Sequence, residues 1–99
     1  MGQREFLDVD PAELHLPGGR RGGADMLKLQ RQFARCGIST VGMPVLEVSR
    51  GSDGALVIND GVTRATRIAR YAPGVTVRVE VIDKLPIPVA GLPTVGETI

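Results

Sequence analysis

Apolar and polar positions alternate with two different periods along this chain, and the switches between them outline the elements. Val75, Val77, Val79 and Val81 alternate with Thr76, Arg78 and Glu80, the period of two expected of a strand with one face buried. Glu5 to Val9 reads as a short opening strand. Asp10-Pro11-Ala12-Glu13-Leu14 follows as a single helical turn, with Asp10 as its cap and Pro11 in the first helical position. Met26, Leu29, Phe33 and Cys36 recur at i, i+3, i+7 and i+10, which predicts a helix over 25–36 with that stripe buried. Asp25 is placed to cap it and Gly37 to end it in the left-handed conformation. Pro44 to Val48 and Ala55 to Ile58 read as two strands joined by a hairpin loop over 49–54.

A second helix is predicted from Thr63 to Ala72, with Val62, Ala65, Ala69 and Ala72 on its buried side and Pro73-Gly74 as its stop. The expected fold class is therefore α+β, a small mixed sheet with two main helices. Two segments break the pattern. Pro17 to Gly23 holds four glycines and reads as a loop. Residues 83–99 are apolar but rich in Pro and Gly, and divide from the 1–82 domain as a tail that wraps over the body or serves as a linker.

The 99 residues fit one domain, and with three aromatic residues its core must rest on Val, Ile, Leu and Ala. A net charge of +1 leaves the whole-molecule field uninformative about partners. The basic residues are nonetheless concentrated: Arg20, Arg21, Lys28, Arg31, Arg35, Arg64, Arg67 and Arg70 fall in the glycine loop and the two helices. A single cysteine excludes an internal disulfide and a Cys metal cluster, and no run is long and apolar enough to span a membrane. With a polar N-terminus and no signal peptide, the expectation is a cytoplasmic protein, or a module exported as part of a larger effector.

The densest chemical signal lies at Leu56 to Arg70. A strand runs into Asn59-Asp60-Gly61 and a helix opens with Thr63 and Arg64, an arrangement whose free N–H groups and positive dipole end converge on one spot. A cation in a first helical turn is electrostatically disfavoured, so Arg64 implies a negative partner, either a ligand phosphate or Asp60. Arg67, one turn on, either completes a grip on an anion or is a solvated arginine. Arg20 and Arg21 either close over a ligand or belong to a mobile basic loop. His15 reads as a surface histidine and Cys36 as a buried small hydrophobe. Asp8 and Asp10 read as strand-end and capping residues rather than catalytic carboxylates, and Ser39 and Thr40 as loop hydroxyls within possible reach of a phosphate. No cluster has metal-ligand spacing.

The order of these elements resembles the ParB/sulfiredoxin-like superfamily, which includes the ParB N-terminal (ParB-like nuclease) domain. The resemblance covers Phe6 to Ile82 through Leu7-Asp8-Val9-Asp10, Arg20 or Arg21, the helix to Gly37, Pro44 to Val48, the hairpin with Asp53-Gly54, Gly61-Val62-Thr63-Arg64 and Val75 to Ile82. In that superfamily the corresponding turn, G-E-R-R, G-C-H-R or D-G-H-H-R, holds phosphates. Gly61 and Arg64 match all three forms and Asp60 matches the last. Val62 stands where sulfiredoxins carry their cysteine, so sulfiredoxin chemistry is not expected. Thr63 replaces a cationic or acid/base residue, though its hydroxyl can still donate to a phosphate oxygen.

The resemblance implies a nucleotide or other phosphate-bearing ligand at Asp60, Gly61, Thr63 and Arg64, with Arg20 and Arg21 from the loop, and helical spacing adds Arg67. Any magnesium would arrive with the nucleotide, and hydrolysis would be an added activity for which no general base is evident. Two alternatives stand beside it. One is a nuclease-like toxin or effector module of a larger polypeptide. The other is a non-catalytic module that contacts a protein or, weakly, nucleic acid.

Overall fold

The structure is a computed structural model and describes residues 3–99. It is a small α+β fold of four strands and two helices. In chain order these are β1 (Glu5–Val9), α1 (Met26–Cys36), β2 (Leu46–Arg50), β3 (Leu56–Asp60), α2 (Val62–Tyr71) and β4 (Val77–Lys84), with short 3-10 turns at Pro11–Glu13, Gly18–Arg20 and Gly96–Thr98.

The sheet order is β1-β4-β2-β3. β4 pairs antiparallel with β1 and parallel with β2, and β2 pairs antiparallel with β3. A parallel step needs a crossover connection, and the chain from β3 through α2 supplies it. Leu46, Val48, Ile58, Val77 and Val79 of the sheet share one buried cluster with Val62, Ala65, Ile68 and Ala69 of α2. The other face of the β1–β4 pair is polar: Asp8 lies opposite Arg78, and the two form an exposed ion pair at 3.2 Å. One covered and one solvated face explains the clean alternation along β4.

Several boundaries move from those expected. β2 starts at Leu46 and takes in Ser49 and Arg50, whose ladder partners are Val57 and Leu56. An irregularity between Val48 and Ser49 allows both to be buried. β3 continues through Asn59 to Asp60, so only Gly61 is left to turn the chain. Val75 stays outside β4 because its N–H closes the turn onto Ala72 O.

The expected burial of the α1 stripe is corrected. Leu29 alone is buried, while Met26, Phe33 and Cys36 are exposed. The reason is position: α1 packs on α2 rather than over the sheet, and Leu29 lies outside the central cluster. Phe33 rests on Tyr71 with ring centroids 4.3 Å apart. Gly37 closes α1 with a positive φ of 56°, as expected, but its ψ of −128° is not that of the left-handed helix.

Asp83 and Lys84 complete β4, and residues 85–99 wrap over the body. Leu14 and Leu16 are sealed by a bridge in which Leu16 N–H donates to Pro93 O at 2.8 Å and Val95 N–H to Leu14 O at 2.9 Å. Val95 is fully buried in the central cluster. Farther along, the Asp53 carboxylate accepts from the N–H groups of Ala90 and Val89 at 2.9 and 3.1 Å. His15 is not the surface residue expected. It is half-buried, its Nδ1 is 2.7 Å from Leu92 O, and its backbone is bonded on both sides to β3, through Leu56 O and Ile58 N.

Candidate functional site

Gly61 creates the junction between β3 and α2. Its φ of 115° belongs to the region that favours glycine, and a Cβ there would lie 2.6 Å from Leu46 Cγ and 3.0 Å from Arg64 Nη2. The fold requires this glycine whether or not a ligand is present. α2 has no side-chain cap, in contrast to α1, where Asp25 Oδ1 accepts from Leu27 N–H and Lys28 N–H at 2.9 and 3.1 Å. The first α2 bond is Ala65 N–H to Gly61 O, so the N–H groups of Val62, Thr63 and Arg64 have no acceptor within the helix. The one β-hydroxyl buried in this helix, that of Thr66, is turned back on Val62 O at 2.8 Å.

Arg64 reaches Asp60 through a single long contact, Nη2 to Oδ2 at 3.4 Å. The two side chains differ sharply in setting, being 19% and 68% exposed. Arg64 Nε is buried and has no hydrogen-bond partner, alone in this among the side-chain atoms of the described residues. A buried donor of a charged group left unpaired is costly.

Arg67 has a setting that neither expectation anticipated. It is 1% exposed. Its Nε donates to Gln32 Oε1, its Nη1 to Gly37 O and Ser39 O, and its Nη2 to Met43 Sδ, at 2.8 to 3.3 Å. The guanidinium ties the loop after α1 to α2, and no carboxylate is among its partners. It is therefore a fixed positive charge, not a solvated arginine, and its donors already serve the protein.

Arg64 and Arg67 face one cavity of about 370 Å³ between α2, the end of α1 and the loop that follows. Arg35 and Cys36 from α1, and Ser39, Val41, Met43 and Pro44 from the loop, complete most of its wall. Arg35 of α1 thus joins the arginines of α2. Gln32 also lines the cavity and did not stand out in the sequence, since only the docking of α1 on α2 brings it there.

The other expected ligand residues are distributed differently. Asp60, Gly61 and Thr63 stand at the start of α2 but do not line this cavity, which opens on the Arg64–Arg67 side. Arg20 and Arg21 are exposed in and after the Gly18–Arg20 turn and do not line it either. Cys36 is exposed and borders the cavity rather than filling a core site. Asp10 caps the Pro11–Glu13 turn by accepting from Ala12 N–H, and Asp8 is paired with Arg78, as their strand-end and capping roles required.

Among the described residues no three His, Cys, Asp or Glu side chains are grouped as a metal site, and no helix is long and apolar enough to cross a membrane. Compared with models of known protein families, with curated proteins and with solved structures, the chain matches none.

Proposed function

We propose that this domain binds a phosphate-bearing ligand, a nucleotide, in the groove between the end of α1 and the start of α2, with Arg64 as its principal contact. The observation that carries this reading is the cavity walled by Arg35, Arg64 and Arg67, in which Arg64 has only one long contact, to Asp60 at 3.4 Å. Guanidinium groups match phosphate oxygens in a bidentate fork and outnumber every other charged type on this wall. The resemblance of the element order to the ParB/sulfiredoxin-like superfamily supports Arg64, the last residue of that turn, as the phosphate contact. No residue of the groove is assigned a catalytic role.

Calorimetric titration with CTP, ATP, ADP and pyrophosphate tests the reading. Saturable binding is expected for the wild-type protein. Loss of the Arg64 fork should weaken it by about tenfold or more in Arg64→Ala, the value of one charge-assisted hydrogen bond in a partly buried site. A folded wild-type protein that binds none of them at millimolar concentration overturns it. The solvent-facing apolar residues of α1, Met26, Leu27 and Phe33, would then be the next surface to study.

A further inference from the structure

We propose that the groove takes its phosphate ligand as the bare anion, without a divalent metal ion, and that arginines supply all of the counter-charge. This deepens the ligand reading above and rests on it. The first argument is the donor set. A phosphate-bound Mg²⁺ is held by one or two carboxylates together with phosphate oxygens and water. The wall of the groove has no carboxylate and no histidine; its polar groups are guanidiniums, the amide of Gln32, the thiol of Cys36 and the hydroxyl of Ser39. The nearest carboxylate tied to it, Asp60, is directed at Arg64. Glu47 lies opposite Asp60 across the β2–β3 ladder and is likewise absent from the wall.

The second argument is charge. Arg67 cannot move away from the groove, because four hydrogen bonds and near-complete burial hold it. Arg64 is largely buried beside it, and Arg35 stands on the exposed rim. Like charges gathered on one partly dry wall repel, and the repulsion is relieved by an anion and worsened by a dication. A magnesium chelate also brings less negative charge to the groove than the free anion, and it presents oxygens that the metal already occupies. The same arginines that favour a free diphosphate therefore discriminate against its metal complex.

Asp60 then has a definite role. It is the internal anion that Arg64 touches at 3.4 Å, and it gives way when a phosphate arrives. Neutralising it should strengthen ligand binding rather than weaken it.

The test is titration of the full chain with ADP at constant ionic strength, in EDTA and in excess MgCl2, for wild type, Asp60→Asn and Glu47→Gln. Binding in EDTA that weakens by about threefold or more with magnesium, and tightens in Asp60→Asn, is the expected result. Binding that requires magnesium, and is lost in Asp60→Asn or Glu47→Gln, overturns the proposal while leaving the ligand reading intact. Equal affinity in both buffers overturns it as well. Absence of binding in both buffers, with the wild type folded by circular dichroism, overturns both readings together.

Discussion

Arg67 shows how one side chain can be read two ways from sequence and prove to be a third thing. Its charge sits in an almost fully buried position and is met by two backbone carbonyls, an amide oxygen and a thioether. Removing it leaves the carbonyls of Gly37 and Ser39 without their donor. Arg67→Met should cost about 3 kcal/mol by urea denaturation, within the range for buried groups left unsatisfied. Arg67→Lys should recover little of this, because an ammonium cannot span acceptors fixed for a planar fork. Gly61 is constrained on different grounds. A methyl group there meets Leu46 at 2.6 Å in a backbone conformation that L-residues avoid. Gly61→Ala should therefore destabilise the protein by about 1–3 kcal/mol in the same measurement. Because Gly61 does not line the cavity, whatever variant protein remains folded should keep its ligand affinity.

At the level of elements, the two helices are held very differently. α2 buries Val62, Ala65, Thr66, Arg67, Ile68 and Ala69, whereas α1 buries Leu29 alone. Hydrogen exchange should therefore show α1 opening well before α2 and the sheet. Leu29→Ala, at about 2–4 kcal/mol, should release α1 while the β4 amides keep their protection. This contrast also marks the limit of what was legible beforehand. Strands with period two, capping by Asp25 and Asp10, and the turn at Gly61 depend on neighbours in sequence, and they appear where the pattern placed them, within a few residues. The stripe of α1 has the right period for burial, yet periodicity says which residues share a face and not what that face meets. Ile68 and Thr66 of α2 were missed for the converse reason: α2 is enclosed on more sides than a single apolar stripe implies. The groove was legible at Arg64, Arg67 and Ser39, although the burial of Arg67 was not, since composition argues against a buried arginine.

For the molecule as a whole, acid is the informative perturbation. The N–H groups of Ala90, Ala55 and Val89 hold the Asp53 carboxyl below its usual value, and Arg50 and Arg4 do the same for Glu5 and Glu80. Each of these groups binds its proton less readily in the folded state than in the unfolded one. Their contribution is complete above the ordinary values of 3.8 and 4.5, and is lost as pH falls through the lower folded values. Melting temperature should be level above about pH 5 and decline below about pH 4, gently because these carboxylates are solvent-exposed. In Asp53→Asn part of that slope should disappear, and the Val89 and Ala90 amides should exchange faster at neutral pH.

The bridge between Leu14–Leu16 and Pro93–Val95 has a consequence for how the protein is made. A ribosome releases Leu14 and Leu16 early, but the residues that roof them emerge only after every strand and both helices have been synthesised. Throughout that interval the nascent chain carries an uncovered apolar strip, available to chaperones or to a neighbouring copy. Closing so distant a contact is slow compared with forming the helices. Folding of this domain is therefore expected to close last at the Pro93–Val95 segment.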